Sequence, residues 1–202
     1  MIHSVTSRKK FWIRGTVFLL LAFIIFVTMQ WVFMPKNCWP DSWQHTSTLV
    51  NFYEMERDSV DVLFLGSSHA MASFIPQDLY DQYGIRSYNL GTPEQSLLIS
   101  YYWLKEALQY QHPSVVVLET LMCYKYCDEP LNTHEANLRY GLDPMRWSSI
   151  KAEAISSICS QDPDQTVWSY YNLFERFHTR WKSLSSNDFT FIRDLQHSEM
   201  KG

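Results

Sequence analysis

Glycine and proline are scarce in this chain, at 6 and 8 of 202 residues, while 46% of residues are hydrophobic and 16% aromatic. That balance excludes a disordered, collagenous or linker-like protein, because such chains lack the apolar area that offsets ordering entropy. Internal repeats and low-complexity tracts are also missing. So is any excess of positive charge: the formal net charge of −4 excludes a basic nucleic-acid binder. Two local absences say more than these averages. Residues 15–34 contain no charge, and the first 36 residues contain no acid.

The uncharged stretch GTVFLLLAFIIFVTMQWVFM (15–34) is long enough to span a membrane. At about 1.5 Å per residue, a helix of that length crosses the roughly 30 Å hydrocarbon core. Arg8, Lys9, Lys10 and Arg14 precede it, and Lys36 alone follows closely. The asymmetry predicts a cytoplasmic stub (1–14) and an extracytoplasmic remainder. Trp12 and Trp31 stand near the two ends, where indoles favour the interface. A cleaved secretory signal is the alternative, but its apolar region is shorter and ends in a small-x-small site. Here Trp31, Phe33, Met34, Pro35 and Lys36 follow, which favours an uncleaved anchor at the cell membrane.

Residues 1–36 hold five of the 17 basic residues and none of the 21 acidic ones, leaving an exterior of net charge −9. Such a domain is not drawn to phosphate backbones by its overall field. Cys38, Cys123, Cys127 and Cys159 all fall on the oxidising side, where disulfides form. The sequence does not choose among the three pairings of four cysteines. Cys123 and Cys127, with His134 nearby, lack the C-x2-C spacing and second ligand pair of a zinc site, so no metal is expected.

After a juxtamembrane segment (35–58), with a short amphipathic helix expected in TSTLVNFYEMERD, the chain alternates in an α/β manner. SVDVLFLG (59–66), IRSYNLG (85–91) and SVVVLET (114–120) read as strands; the first and third are compact apolar runs suited to burial on both faces of a parallel sheet. Between them, 67–84 reads as a helix stopped by Gly84. Thr92-Pro93-Glu94-Gln95 reads as a helix start with a capping box, opening a helix to about Gln111. Leu97, Tyr101, Leu104 and Leu108 give that helix one apolar face. Strands alternating with helices imply right-handed crossovers, with the functional crevice beyond the strand C-terminal ends. The loops Gly66–His69, Asn89–Thr92 and Glu119–Cys123 are expected there. Residues 121–202 are aromatic-rich and helical in pattern. One expected helix follows Pro144. Another runs through TVWSYYNLFERFHTRWKSL, whose Trp168, Tyr171, Phe174, Phe177 and Trp181 predict a helix packed over the sheet.

Gly66-Ser67-Ser68-His69 is the segment suited to chemistry. Glycine permits a sharp turn at a strand end. A serine at a helix start meets unpaired N–H groups, which stabilise charge developing on an attacked ester oxygen. The ordinary alternative is that serine is simply a preferred N-cap.

From Val60 to Thr120 the chain resembles the SGNH/GDSL hydrolase superfamily, most closely its membrane-anchored, extracytoplasmic branch. The resemblance implies a three-layer α/β/α, flavodoxin-like parallel sheet. It makes Ser68 of Gly66-Ser67-Ser68 the nucleophile, with Ser67 where the family has Asp. Gly91 of YNLGTPEQS takes the position of the second oxyanion donor, beside the Ser68 N–H. The family's Gly-x-Asn-Asp block is replaced by Leu118-Glu119-Thr120-Leu121, so its Asn donor has no counterpart. Asp194-Leu195-Gln196-His197 matches the spacing of the family's Asp-x-x-His, although no strand-like run precedes it. Only three of the five strands of a flavodoxin-like sheet are found, so the expectation is an N-terminal portion whose last strands, and base, lie beyond Gly202.

The resemblance implies a serine esterase or acyltransferase that needs no cofactor. Its expected substrate is an O-acylated envelope polysaccharide or another acyl ester. The alternatives are a non-catalytic SGNH-like module, binding glycan or a membrane acyltransferase partner, and an inactive fragment of the enzyme.

Overall fold

The computed structural model describes residues 2–36, 46–128 and 131–192, which divide into two compact units. The first contains the sheet, within residues 36–170. The second joins the N-terminal helix to residues 171–190.

The sheet unit is mixed α/β. Its three strands are β1 (Val62–Leu65), β2 (Ser87–Asn89) and β3 (Val115–Leu118). All pair in parallel in the order β2-β1-β3, with Val62 of β1 opposite Ser87 and Val115. They fall inside the three runs expected to be strands. Preceding them, a helix (α2, Ser47–Asn51) and a 3-10 turn (Phe52–Glu54) form the amphipathic piece of the juxtamembrane segment. Phe52 is buried and meets Tyr88 and Trp103 edge-on, with ring centroids 5.6 and 6.4 Å apart.

The helix expected over 67–84 is two helices, α3 (Ser68–Ser73) and α4 (Pro76–Tyr83). Pro76 explains the break, since a residue before proline is driven out of the helical region, and Ile75 is extended at φ −106°, ψ 103°. Gly84 closes α4 in the left-handed conformation, as expected.

The expected helix start at Thr92 is corrected: α5 runs from Leu97 to Ala107. Thr92 Oγ1 donates to the Gln95 side chain at 2.8 Å, and Glu94 at φ 49° cannot begin a right-handed helix. Ser96 is the cap, its hydroxyl accepting from Ile99 N at 3.2 Å. The face that α5 buries is Ile99, Tyr102, Trp103 and Ala107, whereas Leu97, Tyr101 and Leu108 are exposed. Apolar residues surround this helix, so spacing alone did not identify its buried side. Two helices follow β3, α6 (Glu135–Leu142) and α7 (Ser149–Gln161), and α7 packs along α5. Trp103 Nε1 donates to Gly141 O of α6 at 2.7 Å, and Tyr102 shares a hydrogen bond with Ser157 of α7 at 2.6 Å.

The long aromatic helix expected after Thr166 is also corrected. It is broken into α8 (Val167–Tyr171), α9 (Leu173–Phe177) and 3-10 turns over His178–Lys182 and Ser186–Phe189. Asn172, outside the helical region at φ −108°, ψ 73°, makes the break, and its side chain caps α9. Of the stripe's neighbourhood, Tyr170 enters the core of the sheet unit, while Trp168, Tyr171 and Trp181 are exposed.

In the other unit, α1 runs from Ile2 to Phe33, and its Arg8–Phe33 portion is long enough to cross a membrane and holds an 18-residue window of mean hydropathy 2.3. Residues 171–190 fasten to its C-terminal end. Gln30 accepts from Phe174 N at 2.8 Å and donates to Asn172 Oδ1 at 3.1 Å. Arg180 donates to Phe33 O at 2.6 Å, satisfying a carbonyl that a helix end leaves open.

Candidate active site

The C-terminal end of β1 is the middle of the sheet, and the chain must leave it sharply to enter α3. Gly66 does so at φ 143°, a conformation that favours glycine, and a Cβ there would lie 2.6 Å from Glu119 Cβ. The next two serines have different environments. Ser67 is buried, and its hydroxyl caps α3 by accepting from His69 N at 3.2 Å. Ser68 is the first residue of α3 and half-buried. Among the described residues nothing hydrogen-bonds to its hydroxyl. Ser67 is therefore the structural serine, and Ser68 the one whose hydroxyl is left unengaged among the described residues.

Glu119, the residue after β3, holds this turn. Its Oε2 accepts from the Ser67 hydroxyl at 2.5 Å and from Ser67 N at 3.0 Å, and its Oε1 accepts from Leu121 N. Burial opposes the carboxylate charge, but the Ser67 hydroxyl, the Leu121 and Ser67 N–H groups and nearby His69 outweigh it and hold the carboxyl below its ordinary range. The sequence brought Glu119 to the crevice without a role; its structural role is to tie the serine turn to the neighbouring strand.

Asn89, at the end of β2, holds the other side. Its Nδ2 donates to Ala70 O at 2.8 Å and Phe74 O at 3.1 Å, anchoring both ends of α3. Its Oδ1 accepts from Gly91 N at 2.9 Å. Gly91 packs against the first turn of α3, where a Cβ would lie 3.0 Å from Met71 N and 3.2 Å from Ser67 O. Gly91 thus stands beside the serine turn, but its N–H is engaged by Asn89 and is not open to a substrate oxygen in this conformation. The sequence reading missed this use of Asn89. Its signal was a polar side chain at the end of a short strand, two residues before the close approach of Gly91.

A second polar network ties the loop after β2 to the loop after β3. Glu94 accepts from Lys125 Nζ at 3.0 Å, Tyr126 OH at 2.6 Å and Asn137 Nδ2 at 2.6 Å. Glu94, Tyr126 and Asn132 all have positive φ, so the loops here are held in uncommon backbone conformations.

The three expected loops therefore do converge at the strand C-terminal ends. The candidate pair Asp194 and His197, which matches the family's spacing, lies outside the described residues. His69 is exposed; His112 pairs with Asp58 at 2.5 Å before the N-terminal ends of the strands, the far edge from Ser68. His134 meets the Tyr126 ring at a tilt, with centroids 5.2 Å apart, and His178 Nδ1 contacts Glu175 O. Among the described residues, no group of three or more His, Cys, Asp and Glu is placed to hold a metal. Cys123, Cys127 and Cys159 have free thiols, and Cys38 lies outside the described residues.

Comparison with known proteins finds no matching family model, no matching curated protein and no matching solved structure.

Proposed function

We infer that the chain is a membrane-anchored serine esterase or acyltransferase of the SGNH/GDSL type, acting outside the cytoplasm. The observation that carries this reading is the pair Ser67–Ser68 at the end of the central strand. The buried Ser67 is fixed by Glu119, and the half-buried Ser68 stands at the helix start with its hydroxyl unengaged among the described residues. Strand order β2-β1-β3 agrees with the first three strands of a flavodoxin-like sheet, whose ligand crevice lies beyond the strand ends. The uncharged run 15–34 of α1 and the basic cluster that precedes that run support single-pass anchoring with the N-terminus in the cytoplasm.

In this mechanism Ser68 Oγ attacks the ester carbonyl and its proton passes to an imidazole, for which the resemblance offers His197 oriented by Asp194. The Ser68 N–H faces the developing oxyanion. Gly91 N–H joins it once Asn89 Oδ1 is exchanged for the substrate oxygen. Collapse of the tetrahedral intermediate expels the alcohol with the transferred proton. Water then completes hydrolysis of the acyl-enzyme, or an acceptor hydroxyl completes acyl transfer. This chemistry uses no cofactor. O-acylated envelope polysaccharides are the substrates that the family resemblance suggests.

The second reading, a non-catalytic module that binds glycan or a membrane acyltransferase, is favoured by one observation. Among the described residues, no imidazole hydrogen-bonds to the Ser68 hydroxyl. A serine-reactive fluorophosphonate separates the two. The enzyme reading predicts labelling of the full-length chain that Ser68→Ala abolishes and Ser67→Ala does not transfer elsewhere. A folded chain that does not label supports the binding module.

A further inference from the structure

The aromatic segment 171–190 belongs to the unit formed with α1, and this points to a lipid contact that the sequence pattern had concealed. Its attachment is at the last turn of α1. Phe174 packs edge-on against Phe33 with centroids 5.1 Å apart, and its N–H donates to Gln30. Arg180 bridges the Phe33 carbonyl, at 2.6 Å, and Asp188, at 2.7 Å. Gln30 and Phe33 both lie inside the uncharged run 15–34. Whatever is bonded to them stands at the level where that run ends.

Two large aromatic side chains flank the Arg180–Asp188 bridge. Trp181 directly follows Arg180 and is 64% exposed; Phe189 directly follows Asp188 and is 61% exposed. Adjacent Cα atoms are about 3.8 Å apart, so each ring is rooted within one residue of a member of the Arg180–Asp188 pair at the end of α1. Indole and phenyl groups are poorly placed in bulk water but well placed at a bilayer interface, where the indole N–H stays wet. Lys182 extends beside the Trp181 ring, 5.2 Å from its centroid, and a lysine stem of this kind snorkels between acyl chains and headgroups. The charge that would resist such a position is neutralised locally, because Arg180 is paired with the buried Asp188.

We propose that residues 171–190 form an interfacial collar around the end of the membrane helix, with Trp181 and Phe189 seated in the headgroup–acyl boundary of the bilayer. The proposal rests on reading α1 as a membrane span, and holds for either orientation of the chain. The collar adds a second point of membrane attachment more than 130 residues after the first.

The test uses the full-length chain in phosphatidylcholine–phosphatidylglycerol vesicles, with an environment-sensitive fluorescent tryptophan analogue at position 181 and, separately, at 189. The span itself is checked first by carbonate extraction. Retention of the chain, blue-shifted emission at both positions, quenching by lipids brominated high on the acyl chain, and protection from aqueous acrylamide are the expected result. A retained chain whose probes are quenched by acrylamide and not by brominated lipid overturns the collar and leaves the span intact. Probes shielded from both quenchers overturn it in favour of a protein contact. Extraction of the chain by carbonate overturns the span, and the collar with it.

Discussion

Strands β1 and β3 are side by side, equally long and almost equally aliphatic, yet they live in different surroundings. In β1, Leu63, Phe64 and Leu65 are buried; in β3, Val115, Val116 and Leu118 are 50%, 41% and 46% exposed. β1 is paired on both edges and covered by α5, whereas among the described residues β3 is paired only with β1. An apolar run states that a strand needs cover; cover itself comes from elements elsewhere in the chain or beyond it. The two strands nevertheless cooperate at their C-terminal ends, where Gly66 after β1 and Glu119 after β3 together build the serine turn.

Substitutions can sharpen this contrast, and their expected effects fall in a definite order. Leu63→Ala removes a fully buried side chain from the central strand and should cost about 2–5 kcal/mol in denaturant unfolding of the detergent-solubilised chain. Gly66→Ala should cost about 1–3 kcal/mol, because φ 143° is strained for alanine and the new Cβ meets Glu119. It should also abolish fluorophosphonate labelling even where the protein stays folded.

Glu119→Gln should have a smaller effect, and one that depends on pH. The native carboxyl titrates below its ordinary value, so its stabilisation is complete above the unfolded pKa of about 4.3 and is lost as pH falls through the lower folded value. The wild type should lose its stability advantage over Glu119→Gln across that acidic window, read by unfolding at successive pH values. An advantage independent of pH would break the assignment of Glu119 as the charged tether. Val116→Ala, on the open strand, should change stability by no more than about 0.5 kcal/mol. A cost similar to that of Leu63→Ala would show that β3 is covered in solution and erase the contrast between the strands.

Much of the sheet was legible in the sequence because strand runs and turn residues are local signals. VLFL and VVVL announce themselves, and Gly66 and Gly84 mark the turns. Helix boundaries were less legible where two local signals competed. Thr92-Pro93-Glu94-Gln95 has the residues of a capping box, but Ser96 wins because Glu94 is drawn into left-handed geometry by its partners Lys125, Tyr126 and Asn137. Those partners lie more than 30 residues away, beyond any local pattern. The aromatic stripe misled for a similar reason. Its spacing is helical, but the Asn172 break and the attachment to Gln30 and Phe33 are tertiary facts. At the site, Ser68 could be read from its place after a strand, while the work of Asn89 and Glu119 required knowing that β2 and β3 flank β1.

Trapping of an acyl-enzyme tests the catalytic reading most directly. The full-length chain is incubated with an activated acyl ester, quenched in acid, digested and mapped by mass spectrometry. A single acyl group on Ser68, absent from Ser68→Ala and never on Ser67, is the expected result. An unmodified Ser68 in protein that still unfolds cooperatively would contradict it.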